Sequence, residues 1–353
     1  MLFYEFMEQV FAREAKGERI ARLFVGEPEE PPAQAIRKAA AKALMEGNCR
    51  YSSAAGLPEL REKIAARHSA ASENVAITPG GKFAVFAAIK AVTEGGSVCV
   101  PTPHWPGYDS ACAQLGISIK RVETSMEDKW LPSPERLSEA MDRTTKLVIL
   151  CTPNNPTSTQ LPAKLAGELA GVAKDNGAMV LFDEAYRGLS FNETRPRRLR
   201  DGEMIAGSFS KEFSMTGFRC GYLAAETSVV EKAVSLAQAS FSCVPEFVQA
   251  AAIKALSMPR IARRNAHKCR RNTRLASDIL GRSMDFAQPD AGFYIFATRK
   301  GLDGDSLCMR LLKKGVGVAP GSAFGSREFI RISLTQKEDA LEKSLEKIAG
   351  EAR

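Results

Sequence analysis

The sequence predicts an α/β fold: a mostly parallel sheet with helices on both faces, joined to a smaller α+β domain. Three observations lead there. From Asn74 to about Ala225, short apolar runs (NVAIT, SVCVP, ISIKRV, KLVILC, AMVLFD, MIAGSF and CGYLAA) alternate with amphipathic segments such as KFAVFAAIKAV and LPAKLAGELAGVAKDNG. Strand-sized runs separated by helix-period segments describe parallel strands joined by crossover helices. From about Ile261 the pattern changes to a long Arg-rich helix, IARRNAHKCRRNTRLASDIL, then AGFYIFAT, another helix and FIRISL. Finally, 353 residues exceed what one small core needs and suit two domains.

The first segment, MLFYEFMEQVFAREAKG, sets Leu2, Phe3, Phe6, Val10 and Phe11 on one side of a helix. That side needs cover, from its own domain or from another subunit. Glu5, Glu8 and Arg13 interrupt it, which argues against a signal peptide. No apolar run approaches bilayer length, so no membrane association is expected. The net charge of +8 is dispersed along the chain. It fits anionic small molecules rather than nucleic acid, and the densest basic run, RPRRLR at Arg195 to Arg200, reads as a solvated loop. Eight cysteines lack any CxxC pair and only three histidines are present, so no metal site is expected. Cys99 and Cys151 lie in apolar runs, where cysteine behaves as a small hydrophobe. A soluble protein of the reducing cytoplasm is the expectation.

The stretch SFSKEFSMTGFRCGY carries the chemistry. The apolar run MIAGSF would bring Lys211 into the interior, where desolvation disfavours its ammonium and leaves a nucleophilic amine. Ser208 lies three residues before it and Arg219 eight after, a hydroxyl and a guanidinium suited to a phosphate. An amine beside a phosphate cradle is what pyridoxal 5'-phosphate requires: a partner for its aldehyde and an anchor for its tail. ITPGGKFAVF sets Gly81 and Lys82 between a strand and a helix, a junction that binds phosphate through exposed amides. In FDEAYRGL a strand ends in Asp183, whose carboxylate would keep a pyridine nitrogen protonated. Trp105, between prolines in PTPHWPGY, suits a site wall. Arg331 in FIRISL is a guanidinium inside a strand, and it needs an anion there: a substrate carboxylate or an internal ion pair.

SFSKEFSMTGFRCGY resembles the cofactor-lysine signature of the class I and II aminotransferases, which are fold-type I pyridoxal phosphate enzymes. In the family's order the chain also offers FVGEPE, YSSAAGLPELREKIA, ITPGGKFAVFAAI, PTPHWPGYDSA, CTPNNPTS, FDEAYRGL, APGSAFG and FIRISL. The aspartate aminotransferase-like branch is the most similar. The resemblance implies a large domain with a mostly parallel seven-stranded sheet between helices and a small domain built from both termini. The corresponding limits are residues 1–30 for an N-terminal arm and part of the small domain, 31–260 for the large cofactor domain, and 261–353 for the small domain.

The resemblance also implies roles. Lys211 is the Schiff-base lysine and proton shuttle, with Asp183 and Tyr186 as its catalytic companions. Gly81, Lys82, Trp105, Asn155, Asp183, Tyr186, Ser208, Arg219 and Tyr51 join Lys211 around the cofactor, and Gly26, Asn155 and Arg331 bind the substrate. Tyr51 would reach the phosphate of a neighbouring subunit, so a homodimer with shared sites is implied. Where the family reads NPTG this chain has Ser158, which bears on the local turn but not on Asn155. The implied reaction moves an amino group from an L-amino acid, aspartate-like or aromatic, to a 2-oxo acid such as 2-oxoglutarate, by a ping-pong mechanism. A C–S or other lyase of the same fold is the alternative. A non-catalytic effector-sensing domain is a weaker one, because the chain begins close to the first matching motif and leaves no room for a DNA-binding domain.

Overall fold

The computed structural model describes residues 3–192 and 195–352. Its strands are β1 (Ala21–Leu23), β2 (Val75–Thr78), β3 (Ser97–Thr102), β4 (Ser118–Glu123), β5 (Thr145–Cys151), β6 (Met179–Asp183), β7 (Glu203–Ser208), β8 (Gly221–Ala224), β9 (Tyr294–Ala297), β10 (Val316–Pro320) and β11 (Ile330–Ser333). All seven apolar runs between Asn74 and Ala225 become strands of one sheet, in the order β2-β8-β7-β6-β5-β3-β4. The strands are parallel except β8, which runs against both of its neighbours. The fold is therefore the expected α/β type, with a mostly parallel seven-stranded sheet.

Burial follows from that placement. β2, β6 and β7 are buried almost throughout, because helices cover both faces of the sheet. β4 lies at an edge and keeps most of its residues accessible. Parallel pairing also gathers the carboxyl ends of β3, β5, β6 and β7 along one rim, with Cys151 opposite Asp183 and Asp183 opposite Ala206. Loops leaving that rim carry the strings PTPHWPGY, NNPTS, DEAY and SFSK, as expected for ligand-binding loops of an open parallel sheet.

A second sheet, β1-β10-β11-β9, draws strands from both ends of the chain. Its core takes Phe6 and Val10 from the first helix, Phe3–Glu14, together with Phe24, Phe296, Leu307 and Leu341. Phe6 meets Phe24 edge to face at 5.7 Å. The apolar side of the first helix is thus covered by its own chain; Leu2 lies outside the described residues. The long helix expected from Ile261 spans Pro259–Leu280, and helix Glu338–Glu351 packs beside it.

The basic run at residues 195–200 is not simply a solvated loop. Arg197 folds inward with its guanidinium carbon 3.4 Å from the centroid of the Phe182 ring, between Glu203 (3.4 Å) and Glu184 (3.6 Å). Counting basic residues could not reveal this, because the partners, Glu184 and Glu203, lie outside the basic run and reach Arg197 only through the fold.

Candidate active site

Lys211 sits in the one-turn helix Phe209–Glu212 that begins where β7 ends. Although the residue keeps some accessible surface, protein packs densely around its amine. That desolvation brings the ammonium down to about 8, with Arg331, Arg219 and Lys82 pushing the same way and Glu27 opposing. Its amine donates to the Gly26 carbonyl at 2.5 Å. Gly26 has no room for a side chain, since a Cβ there would collide with the Tyr294 hydroxyl at 1.6 Å.

A glycine-lined pocket for a phosphate lies next to it. Helix Gly81–Val92 starts after Gly80, so its first amides point outward from the helix N-terminus. A Cβ on Gly80 would stand 2.6 Å from Arg219 Nη2, and one on Gly81 would stand 3.2 Å from Ser208 Cβ. Arg219 holds a left-handed backbone at φ 53° and is braced through the carbonyls of Thr216 (2.9 Å) and Pro79 (3.2 Å). That conformation is unfavourable for a non-glycine residue and marks a position set by its surroundings. Gly81, Ser208 and Arg219 therefore converge. Lys82 does not turn its side chain into this cradle: its amine donates to the Tyr4 hydroxyl at 3.1 Å and lies 5.5 Å from the Trp105 ring centroid.

At the end of β6, Asp183 is buried without a cationic partner among the described residues. Its carboxylate accepts from the Tyr108 hydroxyl at 2.7 Å through one oxygen and from the Ala185 amide at 3.1 Å through the other. Burial raises the carboxyl above its ordinary range, and the Tyr108 bond opposes the rise. A buried carboxylate of this kind fits a protonated ring nitrogen, which would supply the missing charge.

A third group descends toward β11. Tyr186 and Tyr294 share a hydrogen bond at 3.1 Å, and Asn155 donates to the Tyr186 hydroxyl at 3.4 Å. The Asn155 carbonyl in turn accepts from Arg331 at 2.8 Å. Arg331 also donates to the Phe24 carbonyl at 2.5 Å, and its guanidinium lies over the rings of Tyr294 (4.3 Å) and Phe324 (4.7 Å). No acid pairs with it, and its Nε is buried with no partner among the described residues. The internal ion pair weighed as an alternative is therefore absent among those residues, and an anion is what the guanidinium lacks.

These residues fit pyridoxal phosphate: a glycine cradle with Ser208 and Arg219 for the phosphate, Asp183 for the ring nitrogen, and Lys211 for the aldehyde. Residues 18–348 match the family model described as aminotransferase class I and II. The chain belongs to that family. This aminotransferase is 35% identical to the aspartate aminotransferase of Thermococcus kodakarensis, over 99% of this chain and 92% of that one. It is 29% identical to the aspartate/prephenate aminotransferase of Thermus thermophilus, covering 95% and 91%. The solved T. thermophilus aspartate aminotransferase with maleate superposes with a TM-score of 0.92 at 27% identity, over 99% of this chain and 96% of that one. The Thermotoga maritima enzyme superposes equally well at 29% identity, with the same coverage. The protein is thus a pyridoxal phosphate-dependent transaminase of fold-type I.

Two residues of the aminotransferase site escaped the sequence reading, Tyr108 and Tyr294. Both lie in strings already singled out, PTPHWPGY and AGFYIFAT, but a tyrosine among apolar neighbours reads as core until its hydroxyl is seen to meet Asp183 or Tyr186. Tyr51 stands apart from the rest in being 88% exposed.

Proposed function

We propose that the enzyme moves the amino group of a dicarboxylic L-amino acid, aspartate foremost, to a 2-oxo acid such as 2-oxoglutarate in a ping-pong cycle. The observation that carries this reading is the pair of cations, Arg331 and Lys82, within electrostatic reach of the Lys211 amine. Arg331 suits the α-carboxylate, bidentately and against the Gly26 backbone. Lys82, exposed and unpaired with any acid among the described residues, suits a second carboxylate. Maleate, the ligand of the T. thermophilus structure, is likewise a four-carbon dicarboxylate.

Bound pyridoxal phosphate supplies an electron sink that acidifies the Cα–H of an attached amino acid. The chain's own residues do the rest. Gly81, Ser208 and Arg219 would hold the phosphate, and Asp183 would keep a proton on the ring nitrogen. Asn155 and Tyr186 would hydrogen-bond the ring oxygen, and Trp105 would cover the ring face. The Lys211 amine would take the Cα proton and deliver it to the cofactor's aldehyde-derived carbon, acting as base and then acid.

The partner subunit's Tyr51 completes the phosphate site in a homodimer. Support comes from Leu44, Met45 and Tyr51, close in sequence and unusually exposed for large apolar side chains. No cysteine is disulfide-bonded, in keeping with a cytoplasmic setting, and no helix among the described residues is long and apolar enough to cross a membrane.

Borohydride reduction followed by peptide mapping tests the core of the reading: the label should sit on Lys211. A panel of donors against 2-oxoglutarate tests the rest. Aspartate should give the highest kcat/KM, and release of ammonia from cystathionine in place of amino transfer would overturn the assignment.

A further inference from the structure

A second concave site lies behind the helix that carries Lys211. It is a cleft of about 910 Å³ between helix Pro58–His68, the turn Arg187–Leu189 and the start of helix Pro259–Leu280. That volume is within the range of small-molecule pockets. Six cations line it: Lys63, Arg67, Arg187, Arg195, Arg263 and Arg270. Among the described residues Glu212 is the one carboxylate on the lining, and Arg67 pairs with it at 3.2 Å.

The cations divide into two sets. Lys63 pairs with Glu59 (3.6 Å), and Arg187 with Glu184 (2.7 Å). Arg263 and Arg270 have no acidic partner among the described residues. Seven residues apart on one helix, with His267 between them, they present a single face to the cleft. The opposite character lies alongside: Phe191 and Leu256 are partly exposed on the wall, and Phe213 is buried beneath. Uncompensated guanidinium groups next to an apolar wall match a compact polyanion that carries a flat ring. None of these residues belongs to the cofactor or substrate set.

We propose that this cleft binds a small organic polyphosphate, of the nucleoside triphosphate class, with the phosphates on Arg263 and Arg270 and the ring against Phe191 and Leu256. Being concave, the site suits a small molecule better than a nucleic-acid backbone, which tracks an extended basic stripe. Glu212, the residue after Lys211, lines the same cleft and pairs there with Arg67.

The test is isothermal titration of the holoenzyme, in saturating pyridoxal phosphate, with adenosine triphosphate and in parallel with inorganic triphosphate. Saturable binding, one per chain, is expected. The two arms separate the sources: tighter nucleotide binding assigns the apolar wall to a ring, and equal binding assigns the site to phosphate alone. The double variant Arg263→Gln/Arg270→Gln, on an exposed helix face, should weaken binding roughly tenfold or more and leave amino transfer unchanged. The proposal fails if neither probe saturates or if the variant binds as well as the parent. It fails equally if the probe releases pyridoxal phosphate, which would put it in the cofactor cradle. Tighter, variant-sensitive binding of a DNA duplex would replace it with a nucleic-acid surface.

Discussion

The Tyr108 hydroxyl donates to Asp183 Oδ2 across 2.7 Å, with both groups sealed from water. Among the described residues it is the one side-chain hydrogen bond that the carboxylate receives, and the Ala185 amide fixes the other oxygen. Tyr108 thereby aims the carboxylate and stabilises its charged form against the desolvation that raises it.

Removing that donor should therefore loosen the cofactor. A hydrogen bond to a charged group is worth about 1.5–3 kcal/mol, so Tyr108→Phe should weaken pyridoxal phosphate affinity roughly tenfold or more. The carboxyl rises further without its donor, so the acid limb of the kcat/KM profile should move to higher pH. Equilibrium dialysis and a pH series measure the two effects separately. An unmoved acid limb would show that Tyr108 only fills space.

Lys211 leads to a prediction about cofactor uptake. Only the neutral amine attacks an aldehyde, and burial brings this one down to about 8. The rate at which cofactor-free protein takes up pyridoxal phosphate should rise with pH to about 8 and then level off. An ordinary lysine would keep rising to about 10.4. The same shift has a sign for stability. Between about 8 and 10.4 the unfolded chain binds more protons at this site than the folded one, so stability rises with pH there. The contribution is complete above the unfolded value and is lost as pH falls through 8. Stopped-flow absorbance and thermal melts, with Lys211→Met as reference, check both.

Arg331→Leu removes the guanidinium that lacks an anion. With two charge-assisted bonds to a carboxylate gone, kcat/KM for aspartate should fall roughly a hundredfold or more, while the cofactor stays bound. Arg331 also braces Asn155 and the Phe24 carbonyl, so Arg331→Lys serves as the folding control. Near-parental turnover in Arg331→Leu would show that another group grips the carboxylate.

What the sequence made legible follows from where the signal lies. The seven strands of the large sheet are each bounded by polar or glycine-rich turns, and a strand buried on both faces reads as an unbroken apolar run. β1 was invisible: three residues, Ala21–Leu23, have no periodicity of their own and are a strand only because they pair with Val316–Val318. The site divides the same way. Lys211, Ser208 and Arg219 lie within twelve residues of one another, so local spacing exposed them. The links Arg331 to Asn155 and Tyr108 to Asp183 span 176 and 75 residues, and only the packed chain brings them together.

Ser158 offers a test of how a side chain is accommodated in a turn that favours glycine. Its φ is 57°, a left-handed conformation that costs a side chain roughly 1–2 kcal/mol. In return its hydroxyl accepts the buried Tyr294 amide at 3.0 Å, and its carbonyl accepts from the Asp290 and Ala291 amides. The residue thus ties the loop bearing Asn155 to the strand bearing Tyr294. Ser158→Gly relieves the backbone but strands a buried N–H, at about 1–3 kcal/mol, whereas Ser158→Ala keeps the strain and loses the bond. The melting temperatures should fall in the order parent, Ser158→Gly, Ser158→Ala, and both variants should raise KM as Tyr294 loosens beneath Arg331. If Ser158→Gly proves the most stable of the three, the hydroxyl bond contributes less than the backbone strain it accompanies.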